Sequence, residues 1–213
     1  MGPDDELMPL IGLANVACGF HGGDPVVIQR TIRLAKQNGL PVGAHPSLPD
    51  REGFGRRHID ISPHDLFAQL AYQIGALAGM LSSEGMQLNH VKTQDTCGAC
   101  VFGVPILIIA NTRMENMATA MSIPYIPEFF PDIVYNENGK LMSILTSGGI
   151  NLDDVQSKVE RIITRNEVIT KTTVGAIKMS FEGRAFSCCI HSDLPHPVET
   201  LQAVRRAIKA ATK

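Results

Sequence analysis

The sequence predicts an α/β fold built on a parallel sheet. Two observations carry this. Short apolar segments alternate with amphipathic segments of helical length. The apolar segments show little in–out alternation, as strands covered on both faces do. The first unit is the run LANVACGF, followed by Asp24-Pro25, an acidic cap with proline at the first helical position. In VVIQRTIRLAKQ, residues Val27, Ile28, Ile32 and Ala35 share one face, and Asn38-Gly39 closes the helix. LPVGAH (40–45) reads as the next strand.

The pattern then repeats. Ser62, Pro63 and Asp65 make a capping-box-like start. Leu66, Leu70, Ile74, Leu77 and Leu81 mark the buried face of that helix, and Gly85 ends it. MQLNHVK (86–92) and VPILIIA (104–110) are strands, with a helix near 112–121 and a strand near 123–129. A polar helix covers about 151–165, AFSCCIH (185–191) is a strand, and Pro197 opens the last helix. In that helix Val198, Leu201, Val204 and Ile208 face inward. The turn-rich stretch 131–150 reads as an excursion and 166–187 as a β-rich insert. No linker or low-complexity segment divides the chain, so residues 1–213 read as a single domain.

Composition removes several classes of function. The 213 residues are 44% hydrophobic and 19% charged, enough for a core without disulfide staples. A net charge of −2 and the absence of Trp point away from nucleic acid and from an anionic membrane. The longest apolar run, VFGVPILIIA, is too short to cross a bilayer, and the acidic start MGPDDELMPL has no signal-peptide pattern. Five cysteines without regular spacing read as reduced thiols of a cytoplasmic protein. Cys97 and Cys100 form a lone C-x-x-C, a weak zinc signal without partners at ligand spacing.

The chemistry gathers at strand ends. In parallel α/β folds, polar residues at the carboxyl ends of strands meet at the ligand-binding rim. His21, His45, His90 with Lys92, and His191 with Asp193 each stand at or near such an end. Gly19, Gly22 and Gly23 surround His21 at a helix entry, a turn able to present backbone N–H groups to an anion. Pro46 and Pro49 stiffen the turn that carries Asp50, and Arg56-Arg57 offer a grip for a carboxylate or phosphate. The competing structural explanation is that Asp24 and Asp193 only cap helices, that each histidine only bonds a carbonyl, and that the arginines are a solvated pair.

Four segments together resemble the LamB/YcsF family, the A component of ATP-dependent 5-oxoprolinase: LANVACGFHGGDP (13–25), LPVGAHPSLPDREGFGRR (40–57), YQIGALAGML with GMQLNHVK (72–92), and CCIHSDLPHPVETLQAVRRAI (188–208). The family opens on a strand like DLNCDLGE, whereas MGPDDELMPLIGLAN resembles the segment after it. The family also continues HVKPHGALYN into a helix, where this chain reads HVKTQDTCGAC and then VFGVP. The resemblance therefore implies a seven-stranded, barrel-like β/α fold related to sugar deacetylases, lacking its first strand and one crossover helix.

It further implies ATP-driven opening of the 5-oxoproline lactam to glutamate, with ATP bound alongside partner subunits. By position it places His45, His191, Asp50 and Asp193 in the pocket; for this reaction we read them as the catalytic residues, with proton transfer by His45 or His191, oriented by Asp50 or Asp193. It implies His21, Asp24, Arg56 and Lys92 as substrate-binding residues and no metal. Two alternatives stand beside it: a non-catalytic family member that binds a partner or a lactam, and a metal-dependent amide or N-acetyl hydrolase drawing ligands from His21, Asp24, His45 and His191.

Overall fold

A computed structural model describes residues 3–92, 102–142, 151–171, 175–179, 181 and 183–212. The chain forms two compact units, one of residues 11–108 and 117–125, the other of 1–10, 109–116 and 126–213.

In the first unit, β1 (Ala14–Ala17), β2 (Val42–His45), β3 (Leu88–Lys92) and β4 (Ile106–Ile109) pair in that order, all parallel. The helix α2 (Pro25–Gln37) connects β1 to β2, and α3 (Pro63–Ser83) connects β2 to β3. Both begin as expected: Asp24 and Ser62 cap them through their side chains, with proline following each. Ile32 and Ala35 of α2 and Ile74, Leu77 and Leu81 of α3 are buried, as are Val42, Ala44, Val91 and Ile106 of the strands. Burial of the valine, leucine and isoleucine side chains contributes about 1.5–3 kcal/mol each and fixes the helices on the sheet.

In the second unit, a short α1 (Asp4–Leu7) precedes α4 (Arg113–Ala120) in the chain, and β5 (Tyr125–Phe129) pairs in parallel with β8 (Ser187–Cys188). The second half of α4, Met117–Ala120, and the start of β5 belong to the first unit. The β-rich insert is a hairpin of β6 (Glu167–Ile169) and β7 (Ala176–Lys178). Helices α5 (Leu152–Arg165) and α6 (Pro197–Ala211) pack on each other. Phe129, Tyr135, Val155, Val159, Ile162, Val168 and Val204 form the core of this unit.

The α/β reading with parallel strands is what the structure shows. Among the described residues six strands stand in parallel ladders, against the seven implied by the resemblance. The segment expected to lack its crossover helix, and the Cys97–Cys100 pair, lie outside the described residues. Among the described residues, no helix is long and apolar enough to cross a membrane.

Candidate functional site

Parallel register lines up one face of the first unit's sheet. Asn15 on β1 stands opposite Gly43 on β2, and Gly43 opposite His90 on β3. Ala17 stands opposite His45, and Lys92 lies two residues beyond His90, so both rows share a face. Ala17, His45 and Lys92 are the last residues of their strands, which places the last two at the carboxyl end as expected.

The inner row is a polar lock. The His90 ring approaches Asn15 Oδ1 at 2.8 Å through Nε2 and Asn89 Oδ1 at 3.0 Å through Nδ1. Burial, then the neighbouring Lys92 charge, lowers its pKa to about 4. The ring is therefore neutral at pH 7, donating through one nitrogen and accepting at the other, so one of the two amides presents its NH2. This ring fits only because position 43 is glycine: a Cβ there would overlap it.

The outer row carries the half-buried His45 and the buried Lys92. Nδ1 of His45 lies 2.8 Å from the Lys92 carbonyl. A carbonyl only accepts, so Nδ1 carries the proton and Nε2 holds the lone pair in the neutral ring. His21 packs edge-on against His45 at 5.2 Å between ring centroids and against Phe54 at 5.3 Å. It is buried, and neither ring nitrogen has a hydrogen-bond partner among the described residues. Each unmet buried group costs about 1–3 kcal/mol. Burial, then the charge of Arg56, depresses the His21 pKa. The Arg56 guanidinium sits 5.2 Å over the Phe54 ring. Phe54 itself has φ 54°, a left-handed conformation that a bulky residue holds only under constraint. His21, His45, Phe54 and Arg56 thus form one cluster.

Asp50 does not join it. Its carboxylate accepts from Gly53 N at 2.9 Å, from Arg57 Nε at 2.8 Å and from Arg57 Nη2. The Arg57 bonds, opposed by burial and helped by the backbone N–H groups, hold its pKa at about 2. The expectation that Asp50 orients a catalytic histidine is corrected: it closes the loop 50–57, and of the paired arginines Arg57 grips this internal carboxylate. Asp24 caps α2, accepting from Val26 N and Val27 N at 2.9 and 3.0 Å. The first N–H groups of α2 are thus occupied by its carboxylate.

Two supports leave no motif in the sequence. Arg51 Nη2 donates to the carbonyls of Gly19 and Gly23 at 2.9 and 2.7 Å, tying the glycine turn to the loop after β2. Gln73, fully buried on α3, accepts from Ser47 N at 3.1 Å and donates to Ser47 O at 2.8 Å. A polar residue on the apolar face of α3, beside Leu70, Ile74 and Leu77, is the available signal for Gln73.

In the second unit, His191 follows β8 and is bonded to Asp132. Asp132 Oδ2 accepts from His191 N at 2.7 Å and lies 3.0 Å from Nδ1. Phe130 stacks on the imidazole at 5.6 Å and 26°. The expectation that Asp193 orients His191 is corrected: Asp193 is exposed in the following turn, and the bonded carboxylate is that of Asp132, 59 residues away in the chain. The sequence has no periodicity that singles out Asp132, which stands in the turn-rich excursion.

Burial pushes the thiols of Cys18 and Cys188 up to about 12, so neither is a thiolate nucleophile. Among the described residues, no three His, Cys, Asp or Glu side chains converge as metal ligands.

The model of the LamB/YcsF family matches residues 1–101 and 95–213. The chain belongs to the LamB/YcsF family. It is 35% identical over 227 residues to the lactam utilization protein lamB of Emericella nidulans, covering 100% of this chain and 89% of that one. It is 35% identical over 230 residues to the 5-oxoprolinase A component of Thermus thermophilus, covering 99% and 90%. The crystal structure of a lactam utilization protein from Thermus thermophilus superposes with a TM-score of 0.84 at 33% identity, covering 100% of this chain and 91% of that chain. The fold of this family member is thereby shown.

Proposed function

We propose that this chain is the A component of an ATP-dependent 5-oxoprolinase, acting with partner subunits on a small lactam. The observation that carries this is end-to-end similarity, over 99% of the chain, to a protein named as that component of 5-oxoprolinase.

A lactam resists hydrolysis because its carbonyl is resonance-stabilised and its nitrogen leaves poorly. Transfer of the ATP γ-phosphoryl group to the lactam oxygen, releasing ADP, makes the carbonyl carbon electrophilic. Water then adds to that carbon with loss of a proton to a base. Cleavage of the C–N bond, with a proton delivered to nitrogen, leaves an acyl phosphate, and a second water adds to its carbonyl carbon, loses a proton and expels phosphate to give glutamate. These steps need an anion grip, a base and an acid.

Arg56 and Lys92 supply positive charge for the grip. His45, with its Nε2 lone pair fixed by the Lys92 carbonyl, is suited to take the proton from water. His21, buried with both ring nitrogens unbonded among the described residues, is suited to hold a polar group of the substrate. His191 is the second candidate for proton transfer.

The test is glutamate formation from 5-oxoproline and ATP by the purified chain combined with its partner subunits. Activity that needs this chain, and falls at least about 100-fold on His45→Ala, is expected for loss of a general base. Full activity without the chain, or unchanged activity with His45→Ala, overturns the assignment.

A further inference from the structure

We infer that Asp132 is the positioning residue of His191, fixing the ring so that its Nε2 faces outward as the proton-transferring nitrogen. This rests on the proposed lactam-opening reaction only for its kinetic part.

The geometry is specific. One carboxylate oxygen, Asp132 Oδ2, takes both the main-chain N–H and the ring Nδ1–H of the same residue, at 2.7 and 3.0 Å. The main-chain bond locates the start of the side chain and the ring bond sets its rotation. Together they leave the imidazole one orientation and one neutral tautomer. Phe130 covers a face of the ring, which restricts the flip that would exchange Nδ1 and Nε2.

Asp132 is itself held. Its side chain is wholly buried, while that of His191 keeps 23% exposure. Lys158 Nζ donates to the carbonyls on either side of it, Pro131 at 3.3 Å and Ile133 at 3.4 Å. Tyr135 Oη accepts from Phe130 N at 3.0 Å and anchors the entry to the same turn. The other carboxylate oxygen, Oδ1, is buried with no hydrogen-bond partner among the described residues. A carboxylate kept in that condition serves a purpose beyond packing, because an apolar residue of similar shape avoids the desolvation cost. An ionised group beside the ring stabilises the imidazolium that forms when Nε2 takes a proton.

Because both bonds end on one oxygen, the two obvious substitutions separate. Asp132→Asn keeps a single oxygen to accept both, so the tautomer persists while the charge is lost. Asp132→Ala loses both. With ring-15N-labelled histidine, and the His191 signals assigned by their disappearance in His191→Ala, wild type and Asp132→Asn are expected to show Nδ1 protonated at a pH where the ring is neutral. Asp132→Ala is expected to show a mixture of tautomers. In the assembled enzyme, kcat is expected to fall about 10-fold for Asp132→Asn and about 1000-fold for Asp132→Ala, with KM changed less than about threefold, as for removal of the carboxylate partner of a general base.

An unchanged Nδ1 tautomer in folded Asp132→Ala overturns the inference whatever the reaction is. Should Asp132→Ala fail to fold, a wild-type spectrum with Nε2 protonated overturns it equally. The expected tautomer shift with undiminished kcat overturns the kinetic part alone, and undiminished glutamate formation by His191→Ala places that failure in the catalytic role of His191.

Discussion

Replacing Gly43 with alanine tests how the sheet face is built. Gly43 is buried on β2, directly opposite His90 on β3. A methyl group there would overlap Nε2, Cδ2 and Cε1 of the His90 ring. Gly43 has no left-handed φ, so alanine is free of backbone strain and the steric conflict is isolated. The ring must leave, breaking its contact with Asn15 at 2.8 Å. Stranding a buried polar group costs about 1–3 kcal/mol. Forced repacking adds about 1–3 kcal/mol. Alanine recovers about 0.5–1 kcal/mol over glycine in a strand. The net loss is about 1–5 kcal/mol, from the difference of these terms. Urea denaturation, followed by far-UV circular dichroism, measures it as a fall in midpoint at constant m. In a His90→Ala background the conflict is gone, and Gly43→Ala should cost less than about 1 kcal/mol, a coupling that a double-mutant cycle reads directly. A Gly43→Ala variant within about 0.5 kcal/mol of wild type, or a cost unchanged in the His90→Ala background, refutes the steric reasoning.

Three further outcomes are expected. Gln73→Leu should destabilise by about 2–4 kcal/mol in the same denaturation assay, because Ser47 N and O are both left unpaired in a buried site. Asp50 has a folded pKa lowered to about 2, so its stabilising effect is present above the unfolded value of about 4 and disappears as pH falls toward the folded one. Acid titration of stability should therefore be shallower for Asp50→Asn than for wild type between these values. Asp24→Ser should keep stability within about 0.5 kcal/mol, since serine is an equivalent cap, whereas Asp24→Ala should lose about 1 kcal/mol. Loss of activity in a stable Asp24→Ser variant would give that carboxylate a role beyond capping.

The helices are legible in the sequence because their signals are local. Asp24-Pro25 and Ser62-Pro63 announce their starts within a few residues, and the buried faces follow a 3.6-residue period. The placement of His45 and Lys92 at strand ends is legible for the same reason, since the strands stop where the apolar runs stop. What joins side chains across the chain is not. Asp132 meets His191 over 59 residues, and His90 meets Asn15 over 75. Neither distance leaves a trace in periodicity or spacing. Asp50 misleads for the opposite reason. Arg57, only seven positions on, satisfies it locally, and sequence shows which groups are near without showing which of them bond.

Isotopic labelling of the lactam oxygen tests the reaction most directly. In 5-oxoproline carrying 18O at the ring carbonyl, phosphoryl transfer to that oxygen, followed by attack of both waters on carbon, sends the label into inorganic phosphate. With the chain, its partner subunits and ATP, one 18O in phosphate per glutamate formed is the expected result. Label retained in the new carboxyl group of glutamate, with unlabelled phosphate, would contradict this route.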